Sequence, residues 1–196
     1  GSCGAPLNPI TEAFEAVLAA FDQLEVRFLI GGSLASSTHG LPRQTNDVDI
    51  LAAIVTDQAE ALGEALGGGF YYDAEHARKS IELGRPFNLI HSKSALKFDI
   101  YPAGNDPFAH SELTRRNYAS IGLPGFEGVE YPVTSPEDTI LAKLSWFRKG
   151  GEISDRQWND IRGVLSVQRA RLDYDYLSTW AERIGVADLL ARLLAE

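Results

Sequence analysis

Apolar residues at Phe14, Val17, Leu18, Phe21 and Leu24 recur at three- and four-residue steps in NPITEAFEAVLAAFDQLEV, the spacing of one helical face. With Asn8 ahead of Pro9 as a cap, this stretch predicts a first helix from about Pro9 to Leu24. VRFLIGG then reads as a short strand stopped by Gly31 and Gly32, and SLASSTHG as a helical stretch of small residues closed by Gly40. DVDILAAIV has the apolar, β-branched character of a strand inside a sheet. DQAEALGEALGG predicts a surface helix stopped by glycines, FYYD an edge strand, and PFNLIHSKSALKFDIYPAG two strands joined by a polar turn near Ser92 to Ser94. DPFAHSELTRRNYASIGLPGFEGVEYPV combines a short helix with two short strands around a Pro-Gly turn. From TSPEDTILAKLSWFRKGG onward the pattern is helical to Glu196, with SDRQWNDIRGVLSVQ, DYDYLSTWAERIG and VADLLARLLA as successive segments. The change near Ser135 divides an α/β part, residues 9–134, from a helical part, residues 135–196. The expected class is α/β (α+β): a twisted mixed sheet flanked by helices, with a C-terminal helical subdomain.

The chain has 196 residues, of which 44% are hydrophobic, enough to bury a core in one compact domain with a helical appendage. Lys and Arg number 18 against 27 Asp and Glu, a formal charge of -9. That balance excludes a global basic field, so no extended nucleic-acid surface and no attraction to an anionic membrane is expected. Any phosphate-bearing ligand must be captured locally. The single cysteine, Cys3, excludes an intramolecular disulfide and a cysteine metal site, and a reducing cytoplasm is the expected location. Neither a run of about 18 apolar residues nor a charged-then-apolar leader occurs, so no transmembrane helix or secretory signal is expected.

The chemistry is carried by LIGGSLASSTHGLPRQTNDVDIL. A strand has a side-chain period of two, so Asp47 and Asp49 share one face about 6 to 7 Å apart, while Val48 and Ile50 point into the core. In KFDIY the same period places Lys97, Asp99 and Tyr101 on one face and buries Phe98 and Ile100. If these strands are neighbours, three carboxylates converge. Such a cluster repels itself unless a cation sits within it, and hard oxygen donors suit Mg²⁺ or Mn²⁺. Gly31 and Gly32 let backbone approach a ligand closely, and Ser33 begins a helix whose free N–H groups can receive phosphate. The spacing is neither that of a Walker loop nor that of a dinucleotide fingerprint.

IGGS, then thirteen residues, then DVDI, and later FDI together resemble the signature of the DNA polymerase beta-like nucleotidyltransferase superfamily. With NLIH, KFDIYP, SPEDTILAKLSW and RQWNDI, the likeness extends to small bacterial nucleotidyltransferases with a helical tail, relatives of those in abortive-infection toxin systems. The resemblance implies transfer of a nucleoside monophosphate from an NTP to an acceptor hydroxyl, with release of pyrophosphate. It also implies two Mg²⁺ or Mn²⁺ ions held by Asp47, Asp49 and Asp99, and a triphosphate met by Gly31, Gly32 and Ser33. Lys143 matches a basic position near the phosphates, and Asp160 a downstream acidic position. The acceptor stays open among RNA, protein and a small molecule. Two alternatives stand beside this activity: an inert member of a toxin-antitoxin pair that binds a nucleotide or a cognate partner, and an antibiotic nucleotidyltransferase.

Each remaining candidate has a bland counterpart. Lys143 could be an exposed lysine with its stem along a helix whose apolar face is Ile140, Leu141, Leu144 and Phe147. Arg43 could meet phosphate or acceptor, or be a surface loop residue, and Lys97 could support the site or balance its charge. His39 and His91 lack the spacing of a metal pair and are expected as hydrogen-bonded structural residues. Arg115 and Arg116, the densest basic spot, suit either an acceptor's phosphates or the abundant acids, and pairing with the acids is the expectation. Trp146, Trp158 and Trp180 are expected to pack the helical tail, although one near the cleft could also stack on a base.

Overall fold

In the computed structural model, residues 8–40, 47–122 and 125–196 are described. The first helix, α1 (Pro9–Gln23), is capped by Asn8, whose side chain accepts from the Ile10 N–H at 3.0 Å, and Pro9 opens it without losing a hydrogen bond. There follow β1 (Phe28–Ile30), α2 (Gly32–His39) and β2 (Asp47–Ala52). Next come α3 (Ala59–Leu66), β3 (Phe70–Tyr71), α4 (Ala74–Glu82), β4 (Phe87–His91) and β5 (Lys97–Pro102). Helix α5 (Pro107–Arg115), β6 (Asn117–Ala119) and β7 (Tyr131–Val133) complete the α/β part. Four helices close the chain: α6 (Pro136–Lys149), α7 (Asp155–Gln168), α8 (Tyr174–Arg183) and α9 (Ala187–Leu194).

The strands form one mixed sheet in the order β3, β4, β5, β2, β1, β7, β6. The pairs β2 with β5 and β1 with β7 are parallel, and the other neighbours are antiparallel. One face of the sheet carries Val48, Ile50, Phe98 and Ile100 into a core shared with α1, α3 and α4. There Phe14 meets Phe98, Phe126 and Tyr131 edge-on, with centroids 5.5, 5.1 and 6.1 Å away. Each such pair contributes about 0.5–1.5 kcal/mol beyond area burial. On the opposite face, Leu29 packs with Ala103, Ala109 and Leu113, seating α5 over one end and leaving the other open. The closing helices share a second apolar cluster with Phe108 of α5.

Helix α4 has no counterpart among the expected elements. Its signals are local: Asp73 caps it by accepting from the His76 N–H at 2.9 Å, and Ala77 and Ile81 are its buried i, i+4 pair. Four charged residues and a histidine in nine positions hide that pair from a search for apolar periodicity.

Helix α2 is tied down at its far end. The buried His39 donates from Nε2 to the Thr134 carbonyl at 2.6 Å, and the His39 carbonyl accepts from the Gln168 side chain at 3.0 Å. Gly40 brings α2 against α7, where a Cβ would stand 2.8 Å from the Val164 nitrogen. Burial holds the His39 imidazole below its ordinary range, against the opposing pull of the Thr134 carbonyl and of Glu137. The stability contribution is therefore full above about pH 6.5 and is lost as pH falls, because the unfolded chain takes up the proton first. Thermal melts between about pH 7.5 and about pH 5 are expected to show a smaller loss for His39→Gln, whose amide can keep the bond to Thr134, than for the wild type. The expectation that His39 and His91 are hydrogen-bonded inside the fold holds, since His91 pairs through Nδ1 with the Ser94 hydroxyl at 2.8 Å.

Candidate active site

The open end of the sheet forms a cleft of about 880 Å³ between the α/β part and helices α6 and α7. Its wall includes Gly31, Gly32, Ser33, Asp47, Asp49, Asp99, Lys143 and Asp160. The parallel register sets Asp47 opposite Lys97, Asp49 opposite Asp99 and Leu51 opposite Tyr101. Because both strands alternate in phase, the polar members of each pair leave the core together.

The turn after β1 and the second aspartate occupy one spot. Gly32 has φ +56°, and a Cβ placed on it would fall into the Asp49 carboxylate. Gly31 donates its N–H to the Asp49 carbonyl at 2.9 Å, and the Ser33 N–H, at the start of α2, donates to the Asp49 carboxylate. The Tyr101 hydroxyl donates to the same carboxylate. Burial first, and then the neighbouring Asp99, hold the Asp49 carboxyl above its usual range, while Ser33 and Lys143 pull the other way. The Tyr101 phenol is pushed up by burial and by Asp49 and Asp99.

Lys97 stands between the other two aspartates, 2.9 Å from Asp99 Oδ2 and 3.9 Å from Asp47 Oδ1. Its ammonium is held above the ordinary lysine range, chiefly by the hydrogen bond to Asp99. Asp47 is more than half exposed, at 55%, whereas Asp99 is 19% exposed. The expected convergence of three carboxylates is therefore partial. The three line one cleft, but no group of three His, Cys, Asp or Glu side chains among the described residues stands close enough to hold a metal ion. Mutual repulsion separates like charges, and Lys97 is the cation that pairs with two of them.

Lys143 is not an exposed lysine. Its Nζ lies 3.1 Å from Asp160 Oδ2 with the two side chains 12% and 14% exposed, and its charge is felt at Asp49. This pair joins α6 to α7 across the cleft wall. Arg43 lies outside the described residues. Arg115 does pair with acids, at 3.5 Å from Glu137 and 3.8 Å from Asp138, with its guanidinium 3.7 Å over the Tyr176 ring. Arg116 behaves differently and donates to the Phe28 carbonyl at 3.1 Å.

Trp158 and Trp180 pack the helical cluster as expected, but Trp146 does not. It is 49% exposed on the cleft wall, with Tyr101 edge-on at 5.9 Å and Lys149 Nζ 4.8 Å above its ring. A sequence signal for it exists, since Trp146 lies three residues after Lys143 and so shares its helical face. Tyr101, which shares the face of Asp99 in KFDIYP, also lines the cleft, as does Glu112, which belongs to no motif.

Neither a protein-family model nor a curated protein matches this sequence. Solved structures do resemble the fold. The antibiotic-resistance factor ANT(2'')-Ia in solution superposes with a TM-score of 0.52 at 16% identity, over 96% of this chain and 96% of that one. An antigenic nucleotidyltransferase-like protein from Paracoccidioides brasiliensis superposes with a TM-score of 0.50 at 16% identity, over 98% of this chain and 96% of that one. At this identity the likeness is one of fold: the twisted mixed sheet, its flanking helices and the helical C-terminal part are a nucleotidyltransferase-type fold.

Proposed function

We propose that the cleft binds an NTP with Mg²⁺ or Mn²⁺ and transfers its nucleoside monophosphate to an acceptor hydroxyl, releasing pyrophosphate. The observation that carries this reading is the shared position of Gly32 and Asp49. A helix N-terminus suited to phosphate and a carboxylate suited to a hard cation touch at a residue where a Cβ has no room. The donor types suit the ions: Asp47, Asp49 and Asp99 supply only oxygens, and Lys97 already pairs with two of them, but the three carboxylates as placed would have to draw together to share an ion. When bound, divalent ions would polarise the α-phosphate and make the acceptor hydroxyl more acidic.

The chain's own groups then have distinct tasks. The N–H groups of the first turn of α2 other than that of Ser33, which Asp49 occupies, receive phosphate oxygens, and Lys143 supplies positive charge on the same side. Asp160 holds Lys143 in place, and Lys97 balances the carboxylates. Arg43 retains its proposed role at phosphate or acceptor. Trp146 offers the nucleobase an exposed ring one helical turn beyond Lys143. Trp146→Ala is expected to raise the KM for NTP about tenfold with a smaller change in kcat, since stacking on an aromatic ring contributes about 1–3 kcal/mol per base. Steady-state kinetics on both proteins check this.

Calorimetric titration with ATP, GTP, CTP and UTP, with and without Mg²⁺, tests the assignment, followed by label transfer from the NTP to panels of RNA, protein and small hydroxylated molecules. Absence of metal-dependent binding for all four nucleotides would overturn it. Binding without transfer to any acceptor would favour the inert, partner-binding alternative, which no observation at the cleft supports. No helix among the described residues is long and apolar enough to cross a membrane.

A further inference from the structure

Glu112 is the titratable cleft residue that the transfer reaction leaves unused. It lies on α5 with only 8% of its surface exposed and forms part of the cleft wall beside Asp106 and Phe108. Among the described residues no donor or cation pairs with its carboxyl. Arg115, three residues along the same helix, is committed to Glu137, Asp138 and the Tyr176 ring. Lys143, across the cleft, is committed to Asp160. The Tyr176 hydroxyl donates to Asp138 at 2.6 Å, so it does not serve Glu112 either.

The charged groups that Glu112 does feel are acids. Asp138 approaches from α6 and Asp106 from the start of α5, and burial with these two neighbours keeps its carboxyl well above the usual range. A nearly enclosed carboxyl with no partner among the described residues is a polar group whose partner comes from the cleft. A neutral hydroxyl could satisfy one hydrogen bond, whereas a cation would in addition offset the repulsion that Asp138 and Asp106 exert on a charged Glu112. A phosphate-rich acceptor such as an RNA end would bring negative charge against both.

We propose that Glu112, with Asp106 beside it, receives a protonated amine of the acceptor, so that this cleft selects small cationic amino-alcohols. This inference rests on the nucleotidyl-transfer reading of the cleft. It adds the chemical class of the acceptor and a residue that determines it.

The test compares glucosamine with its neutral twin, glucose, as probes at neutral pH. Amide chemical shifts of the full chain loaded with Mg²⁺ and a non-hydrolysable NTP report their binding. Glucosamine is expected to bind about tenfold more tightly than glucose, and Glu112→Gln is expected to erase most of that preference. Asp106→Asn, whose side chain still caps α5, is expected to reduce it as well, and serves as the informative variant should Glu112→Gln fail to fold. Equal binding of the two sugars to the wild type, or a preference unchanged in the folded variants, would overturn the proposal, as would a short RNA competing better than glucosamine. Mg²⁺-dependent NTP binding, measured on the wild type without any sugar, separates the two readings. If it is absent, the transfer assignment fails; if it is present while the sugars bind alike, only the amine receptor fails.

Discussion

Asp49→Asn is expected to lower Mg²⁺-dependent NTP turnover by about 10³-fold or more, while the protein stays folded and melts at the same temperature or higher. The two effects have opposite signs because Asp49 is placed for chemistry at the expense of stability. Its carboxyl is buried, shares the cleft with Asp47 and Asp99, and is held above its usual range by that environment. An asparagine oxygen can still accept from the Ser33 N–H, so the turn survives, and loss of the charge removes the repulsion. The same change removes an anionic ligand from the proposed metal site. Pyrophosphate release and a thermal melt on one preparation check both halves. Turnover within tenfold of the wild type would refute the catalytic role of Asp49, and a large drop in melting temperature would refute the account of its strain.

Gly32→Ala is expected to cost about 2–4 kcal/mol of stability, roughly 5–15 °C in Tm for a chain of this length, and to weaken NTP binding together with it. Two costs add at this position. An L-residue at φ +56° is disfavoured by about 1–2 kcal/mol. The new Cβ would also push the Asp49 carboxylate from the place where Ser33 holds it, so the phosphate turn and the proposed metal ligand move as one. Gly31→Ala is the control. Its nearest neighbour would be the Thr134 hydroxyl at 3.4 Å, an ordinary contact, and its φ of -116° is open to any residue. Comparable losses from the two substitutions would show that the turn, rather than its contact with Asp49, is what matters.

The candidate site and the fold were legible to different depths. The period of two in DVDI and KFDI placed Asp47, Asp49 and Asp99 on solvent-facing sides of their strands, because alternation is a property of the backbone and needs no partner. The glycine pair and the apolar faces of α1 and α6 were readable for the same reason. Helix α4 was not, because its short apolar stripe rests on two residues and the rest of its stability comes from packing. Trp146 was grouped with the tail tryptophans since the helical period identifies a face without saying what stands opposite it. Glu112 has no local signal at all: on a short helix it reads as one more exposed acid.

What the sequence determined by itself was therefore one-dimensional: which residues share a face, where glycines break a strand, and that a strongly acidic chain must take phosphate at a turn rather than on a basic surface. Only the tertiary structure decided which faces meet. The parallel register of β2 and β5 sets Asp49 opposite Asp99, and the closing helices bring Lys143 and Asp160 together 3.1 Å apart. Lys97 pairs with two of the three aspartates, where the sequence predicts a tighter carboxylate cluster, and the packing of α5, α6 and α8 leaves Glu112 enclosed without a partner among the described residues. The physical reason is that charge and burial depend on distances through space, which strand order and helix packing set and which local spacing along the chain does not contain.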